Sequence, residues 1–429
     1  MIYIFQKIGE INRQKNGYFA FSAAIVSMVI LPLHNQYLPP LIIAWTLFWL
    51  FEFISRKGKT GEDEHRQVLL LCCFILLFVC LLSGLFYSEN RSLGTLLIFR
   101  RLSLIIFPLA LFSPGLEIRK RIKTLLKVFT IGTISFLLIC FANALYRSIF
   151  IKNGHWTFNP VSPAESWINY FFGQELTIDQ HPSYIAMYAV LSMFIAFESF
   201  SNKTLKAGSR ALWLVSGIFL FVSIYYLSSR AGYIAVLLLL PAYIISKLGR
   251  NRINIISVSL ILIILLGISS LFLFNQRVNI YFDESMKGKL DPTTLKDDRI
   301  GIWKSAFQVI EKNPVFGVGI GDACEELKTE FKLSGFTNGY YDNLNAHNEF
   351  LEILLCSGAV GLLIFLAIIG LMIFSAVKDR NLLYGVYIIM MLIFFTFESM
   401  LNRLAGISFF SLFSFLLMHL KYPISGSKD

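Results

Sequence analysis

Charge is scarce in this 429-residue chain. Asp, Glu, Lys and Arg make up 15% of it, against about 25% in ordinary soluble domains. The apolar share is 56%, with 41 Phe, more than one globular core of this size can hide, so much of the surface must face lipid or other membrane helices. That excludes a soluble α/β enzyme, a disordered chain and a collagen. Cysteine is also sparse, at 6 residues, and Cys72, Cys73, Cys80, Cys140 and Cys356 fall within apolar runs. Cys324 alone lies outside them, so there is no disulfide framework and the chain is not a stapled secreted module. No Cys/His spacing resembles a metal site. Nothing resembling a cleavable leader opens the chain. Met1 to Gly17 is short and mixed, with Lys7, Arg13 and Lys15, and reads as a retained cytoplasmic start.

What is abundant is long apolar sequence. Runs near the roughly 20 residues needed to cross a hydrocarbon core occur at 17–35, 37–55, 68–86, 93–113, 125–146, 182–200, 210–228, 231–247, 254–274, 349–373, 382–400 and 404–420. The expectation is an all-α polytopic membrane protein with about 12 transmembrane helices. Helices one to nine fill 1–274, with an outer loop at about 147–181. A large outer loop follows at 275–348, and 349–429 holds helices ten to twelve and a tail. Basic residues fix the orientation. With the N-terminus inside, the alternate segments hold Lys7, Arg13 and Lys15; Arg56, Lys57, Lys59 and Arg66; Arg119 to Lys127; Lys203, Lys206 and Arg210; Lys247, Arg250 and Arg252; Lys378 and Arg380; and Lys421 and Lys428. The short outer turns carry only Arg91, Arg230 and Arg403. Both termini are therefore expected to be cytoplasmic. The net charge of +11 is mostly topology and not a nucleic-acid footprint. The cluster at 119–127 offers at most a surface for anionic headgroups.

The two long outer segments hold the interest. The first carries Trp156, Phe158, Trp167, Tyr170, Phe171 and Phe172, which suits an interfacial element. The second contains an amphipathic run, Arg299 to Ile310, with Ile300, Trp303, Phe307 and Ile310 on one face, expected to fold onto the membrane surface or back into the bundle. The glycine-rich stretch Pro314 to Gly321 lacks the strand-turn-helix context of a nucleotide loop. It is expected to form a turn with close backbone packing.

Few residues on the outer side can carry chemistry. Arg230, in Ser228-Ser229-Arg230-Ala231-Gly232, reads either as an arginine snorkelling at a helix end or as a ligand for phosphate. Arg299 reads as a solvated partner of Asp297 or Asp298, or as a second anion ligand. His347 stands in Asn345-Ala346-His347-Asn348-Glu349, where the large loop enters a membrane helix. It is a helix cap or a general base. Arg100 and Arg101 lie inside the fourth run, where arginines face a cavity, a partner or an anion. Glu398 lies close to Arg403, which suggests a structural ion pair. His181, before Pro182, is a weaker auxiliary. Two arginines and a histidine at a lipid-level cavity suit a pyrophosphate-bearing lipid donor and an activated hydroxyl.

These residues carry a resemblance. His347-Asn348, then nine residues to Gly358 and two more to Gly361, is similar to the histidine motif of the bacterial O-antigen ligase and polymerase superfamily. Ser229-Arg230-Ala231-Gly232 resembles one arginine motif. Arg299 with Ile302-Trp303 and the run Asn313 to Gly319 resembles the large outer loop. The resemblance implies a membrane glycosyltransferase (GT-C-like) fold, no cofactor and no metal, and an undecaprenyl-diphosphate-linked glycan as donor. For a ligase, it implies transfer to a lipid A–core hydroxyl at the periplasmic face of the bacterial inner membrane, with inversion. On it, Arg230 and Arg299 bind the diphosphate and His347 is the activating base. A polymerase, or a protein O-oligosaccharyltransferase using the same donor, is the alternative. A transporter also fits the span count, but no inverted repeat with paired broken helices is evident.

Overall fold

The computed structural model describes residues 18–33, 37–55, 64–112, 116–152, 154–162, 168–248, 298–342 and 344–420. Helices dominate them. In chain order these are α1 (Tyr18–Leu33), α2 (Leu38–Ser55), α3 (Glu64–Tyr87), α4 (Arg91–Arg101), α5 (Ser103–Phe112), α6 (Leu116–Lys120) and α7 (Ile122–Ser148). A two-stranded hairpin follows, β1 (Ile149–Lys152) and β2 (His155–Phe158), antiparallel with Ile149 opposite Phe158. Next come α8 (Pro182–Ser201), α9 (Ala207–Leu227), α10 (Arg230–Leu248), α11 (Asp298–Lys312), α12 (Ala323–Leu333), α13 (Thr337–Tyr341), α14 (Glu349–Lys378), α15 (Leu382–Phe397) and α16 (Leu404–Met418).

The chain is polytopic and α-helical, but the expectation of about twelve spans in a GT-C-like fold is corrected. Among the described residues seven helices are long and apolar enough to cross a membrane: His65–Tyr87, Arg91–Phe112, Ile122–Ser148, Pro182–Ser201, Ala207–Leu227, Arg230–Lys247 and Glu349–Lys378. Four apolar runs that read as spans give only shorter helices, Phe19–Leu33, Leu38–Ile54, Leu382–Phe397 and Leu404–Met418. At 1.5 Å per residue the 15 residues of α16 rise about 23 Å, short of a hydrocarbon core of about 30 Å. The physical reason is visible in α16 itself. Every residue from Ala405 to Met418 is buried, so its apolar character serves the protein interior, not lipid. Hydropathy does not separate these two solvents. No GT-C-like architecture is found among the described residues. The run at 254–274 lies outside them, as do Asp297, Trp167 and both termini.

The phenylalanine excess is used around α16. Phe409 and Phe413 lie tilted with ring centres 4.6 Å apart, Phe413 meets Phe129 of α7 at 4.8 Å, and Phe410 meets Phe74 of α3 and Phe395 of α15. Edge-to-face and offset contacts of this kind add to the area they bury. Tyrosine hydroxyls then tie the neighbouring helices to the α16 backbone. Tyr188 donates to the Ala405 carbonyl, Tyr384 to Ser414 and Tyr387 to Phe410, at 3.1, 2.8 and 2.9 Å. Such bonds lock helix register where no water competes.

The described part of the expected outer loop, 298–342, folds back on the bundle, α11 packing on α12 and on α14. Its buried stripe is Ile302, Ser305, Ala306 and Val309. Ile300 and Phe307 are exposed, so the face that packs is offset from the one the spacing suggested. The glycine-rich stretch does pack backbone on backbone. Gly317 and Gly319 sit at φ +70° and +91°. The segment wedges into a break in α14 at Gly358, which has φ 60° and ψ −160°. Val318 N–H donates to the Leu355 carbonyl (2.8 Å), and Ala359 and Val360 donate to the carbonyls of Pro314 and Val315 (2.9 and 3.2 Å). The loop thus replaces the helix hydrogen bonds that the kink removes. On its other side, Asp322 accepts from the backbone of Glu89 and Asn90 (2.7 and 2.9 Å), and Tyr87 donates to the Phe316 carbonyl.

Candidate functional site

Three chain reversals meet at the end of the bundle where α14 begins. The first precedes α14. Asn348 caps that helix, its side-chain oxygen accepting from Phe350 and Leu351 N–H (2.9 and 3.2 Å), while its amide donates to the Thr396 carbonyl (3.3 Å). The capping role therefore falls to Asn348, not His347. His347 sits just before it at φ +44°, in the left-handed region that a non-glycine residue adopts only when its surroundings impose it. Here the imposing contacts are the cap and the bond from His347 N–H to Asn345 Oδ1 (3.0 Å).

The second reversal lies between α15 and α16, where Glu398 ends α15 in extended conformation. Its carboxylate takes a hydrogen bond from His347 Nδ1 at 3.1 Å and one from Ser183 Oγ at 3.1 Å. The ion pair with Arg403 suggested by their nearness in sequence is not formed. Arg403 instead lies over the Tyr184 ring, at 6.0 Å. The third reversal opens α8. His181 is its N-cap, with Nδ1 accepting from Ser183 N–H (3.3 Å) and Pro182 in the first turn. Ser183 thus links His181 to Glu398.

Arg299, in the first turn of α11, completes the group. Its Nη2 lies 3.9 Å from Glu398 Oε1, an ionic contact and not a hydrogen bond. Its guanidinium rests 5.4 Å from the Phe397 ring, a cation–π contact that orients it. The side chains of Arg299, Glu398 and His347 are 18%, 16% and 26% exposed, so Arg299 is not a solvated surface arginine. Burial pushes the Glu398 carboxyl up. The hydrogen bond from His347 and the electrostatic influence of the neighbouring His347, His181 and Arg299 side chains outweigh it and hold the group below the ordinary carboxylate value.

The remaining expected residues lie on other elements. Arg230 is exposed at the first turn of α10. It follows Ser228 at φ +54° and Ser229, whose hydroxyl accepts from Gly232 N–H (3.3 Å). α10 packs on both α8 and α15, the helices whose ends carry His181 and Glu398. Arg101 is buried and donates to Asn402 Oδ1 (2.7 Å). It lines a small internal cavity with Glu349, Glu352, Cys356 and Leu401. Arg100 is exposed and takes no part in that cavity.

Two residues at the site were missed from sequence. One is Ser183. The other is Glu352, whose Oε2 accepts from Ala346 N–H (3.3 Å) and Ser399 Oγ (3.1 Å). Glu352 thereby clasps the residue before His347 to the residue after Glu398. The only sequence signal for it is an acidic residue in the first turn of a helix, where the dipole favours it. Among the described residues no group of three His, Cys, Asp or Glu side chains could hold a metal ion.

The family model for O-antigen ligase matches residues 215–366, just over a third of the chain. No curated protein matches it. The matched segment runs from within α9 into α14 and includes Arg230, Arg299, His347, Gly358 and Gly361. His181 and Glu398 lie outside it. The match supports a relation to the ligase and polymerase superfamily and an enzymatic transfer reaction of that general type.

Proposed function

We propose that this protein is a membrane glycosyltransferase. It moves a glycan from an undecaprenyl-diphosphate-linked donor to a hydroxyl acceptor, lipid A–core in the ligase case, at the periplasmic face of the inner membrane. The single observation that carries the reading is the His347–Glu398 hydrogen bond beside the Arg299 guanidinium, with His347 and Arg299, though not Glu398, within the O-antigen ligase match. With Nδ1–H donating to Glu398, Nε2 of His347 keeps its lone pair for the acceptor proton. The acceptor oxygen attacks the anomeric carbon as the bond to the diphosphate oxygen breaks, and the leaving diphosphate takes that electron pair. The proton passes to Nε2, and Glu398 stabilises the imidazolium that forms. Arg299 and Arg230 hold and neutralise the diphosphate, a role that guanidinium groups fill without a divalent ion. Direct attack inverts the anomeric centre.

The test is reconstitution of the purified protein with a polyprenyl-diphosphate glycan and a lipid A–core acceptor, with chelator present. A single-step product on lipid A–core is expected. Growth of glycan chains on the donor alone would assign a polymerase instead. Loss of all transfer on chelation would overturn the role given to the arginines.

A further inference from the structure

The β1–β2 hairpin stands where α7 ends, in the loop that leads on to His181. Its register sets which side chains share a face. Ile149 lies opposite Phe158 and Ile151 opposite Trp156, and side chains alternate along a strand, so these four project from one side. They are 41%, 58%, 63% and 77% exposed respectively. The other side carries Phe150 and Thr157, which are half-buried. The apolar side is thus turned away from the protein, the reverse of a sheet that faces water.

This exposed face continues that of α7. Ile131, Leu138 and Leu145, seven residues apart, are exposed along one side of the helix, and exposed Tyr146 joins them to Ile149. Because α7 is long and apolar enough to cross a membrane, the stripe faces lipid. Charge is drawn away from it. Arg147 pairs with Glu175 at 2.9 Å and lies 4.1 Å from the Tyr170 ring, which turns its guanidinium onto the loop. The hairpin is fixed to the helix end. Asn159 N–H donates to the Ser148 carbonyl (2.8 Å), Phe158 meets Phe171, and Phe171 meets Phe141 of α7.

Two arguments set its depth. Counted from Lys127, near the basic end of α7, a hydrocarbon core of about 30 Å takes about 20 residues and ends near Arg147. The hairpin begins just beyond. It is also a two-stranded sheet, with no ladder partner on its outer edges among the described residues, and open edges do not occur within hydrocarbon. What lies between core and water is the headgroup region, where tryptophan and tyrosine concentrate.

We infer that Ile149, Ile151, Trp156 and Phe158 form a phospholipid-binding surface that beds the hairpin in the headgroup–acyl boundary of the bilayer crossed by α7. The inference goes beyond the glycosyl-transfer reading and does not depend on it. The test reconstitutes the full-length protein in phosphatidylcholine vesicles and takes the emission of Trp156 as the difference between each protein and its own Trp156→Phe counterpart. Phosphatidylcholine brominated high on its acyl chains should quench that emission more than phosphatidylcholine brominated near the chain ends, and more than aqueous acrylamide. Ile151→Glu, on the same exposed face, should shift the emission to the red and make acrylamide the stronger quencher, while Ile151→Val should change neither. Quenching by acrylamide with none by the brominated lipids would overturn the inference by placing the hairpin in water. Protection from both would overturn it by assigning the face to a protein cover, either a second copy or another segment of this chain. Strongest quenching from the chain ends would overturn the interfacial depth.

Discussion

Glu398→Gln removes a charge while leaving the volume nearly unchanged. In the native site that carboxylate takes hydrogen bonds from His347 Nδ1 and Ser183 Oγ, both at 3.1 Å, and faces Arg299 at 3.9 Å. A glutamine can meet His347 in two ways. If its amide donates to Nδ1, the imidazole proton moves to Nε2 and the base is lost. If its carbonyl accepts from Nδ1, the tautomer survives, but the imidazolium formed during transfer has no counter-charge. Either outcome removes most of what a positioned base supplies, about 10²–10⁴ in kcat, or roughly 3–5 kcal/mol of the barrier. Donor KM should hold or fall, because Arg299 no longer shares its charge with a carboxylate. The assay is turnover in proteoliposomes at saturating acceptor, with the donor titrated. A kcat within about threefold of the unmodified protein would refute the reasoning, and a rise in donor KM with kcat intact would move Glu398 to donor binding. The same variant has a pH signature. The folded Glu398 lies below its ordinary value, about 4.3 for a free glutamate. Its stabilising contribution is therefore complete above that value and is lost as pH falls through the lower folded one. Thermal stability should lose this contribution only below about pH 4, and Glu398→Gln should lack that acid limb.

Gly358→Ala places a methyl group against the Val315 carbonyl, at a backbone conformation of φ 60° and ψ −160° open essentially to glycine alone. The expected loss is about 2–5 kcal/mol of stability, read as a fall in the unfolding midpoint in detergent; an unchanged midpoint would contradict the wedge at the α14 kink. Glu352→Ala should lower kcat roughly 10- to 100-fold with KM unmoved, since it loosens the loops that carry His347 and Glu398. Glu352→Gln keeps an acceptor for Ala346 and Ser399 and should recover most of the loss. Failure of that rescue would assign Glu352 a charge-dependent role instead.

Composition was enough to establish a polytopic helical membrane protein, because 56% apolar residues with 15% charge leave few other solutions. It did not give the number of spanning helices. Apolar runs 382–400 and 404–420 are as hydrophobic as any span, yet α16 spends that character on aromatic packing inside the bundle. The glycine-rich stretch was legible as a turn with close backbone packing, but its partner, the break in α14, was not. That Gly317 and Gly358 permit one backbone to enter the break in another follows only from their φ angles. His347, Arg299 and Glu398 were each legible as unusual polar residues near an apolar boundary. Their meeting was not, because it joins positions 48 and 51 residues apart in sequence. Glu398 was assigned to Arg403 on proximity along the chain, and tertiary packing gave it to His347. Ser183 and Glu352 act only through neighbours the fold supplies, and nothing in their local sequence separates them from ordinary helix-start residues.

The central claim is that His347 takes the acceptor proton during glycosyl transfer. Its most direct test compares His347→Ala with the unmodified protein in two readings on one preparation: equilibrium binding of the polyprenyl-diphosphate glycan and single-turnover transfer to the acceptor. Donor binding is expected to stay within about threefold while transfer falls by at least about 10². Transfer at the unmodified rate, or loss of both readings together in a variant with unchanged thermal stability, would contradict it.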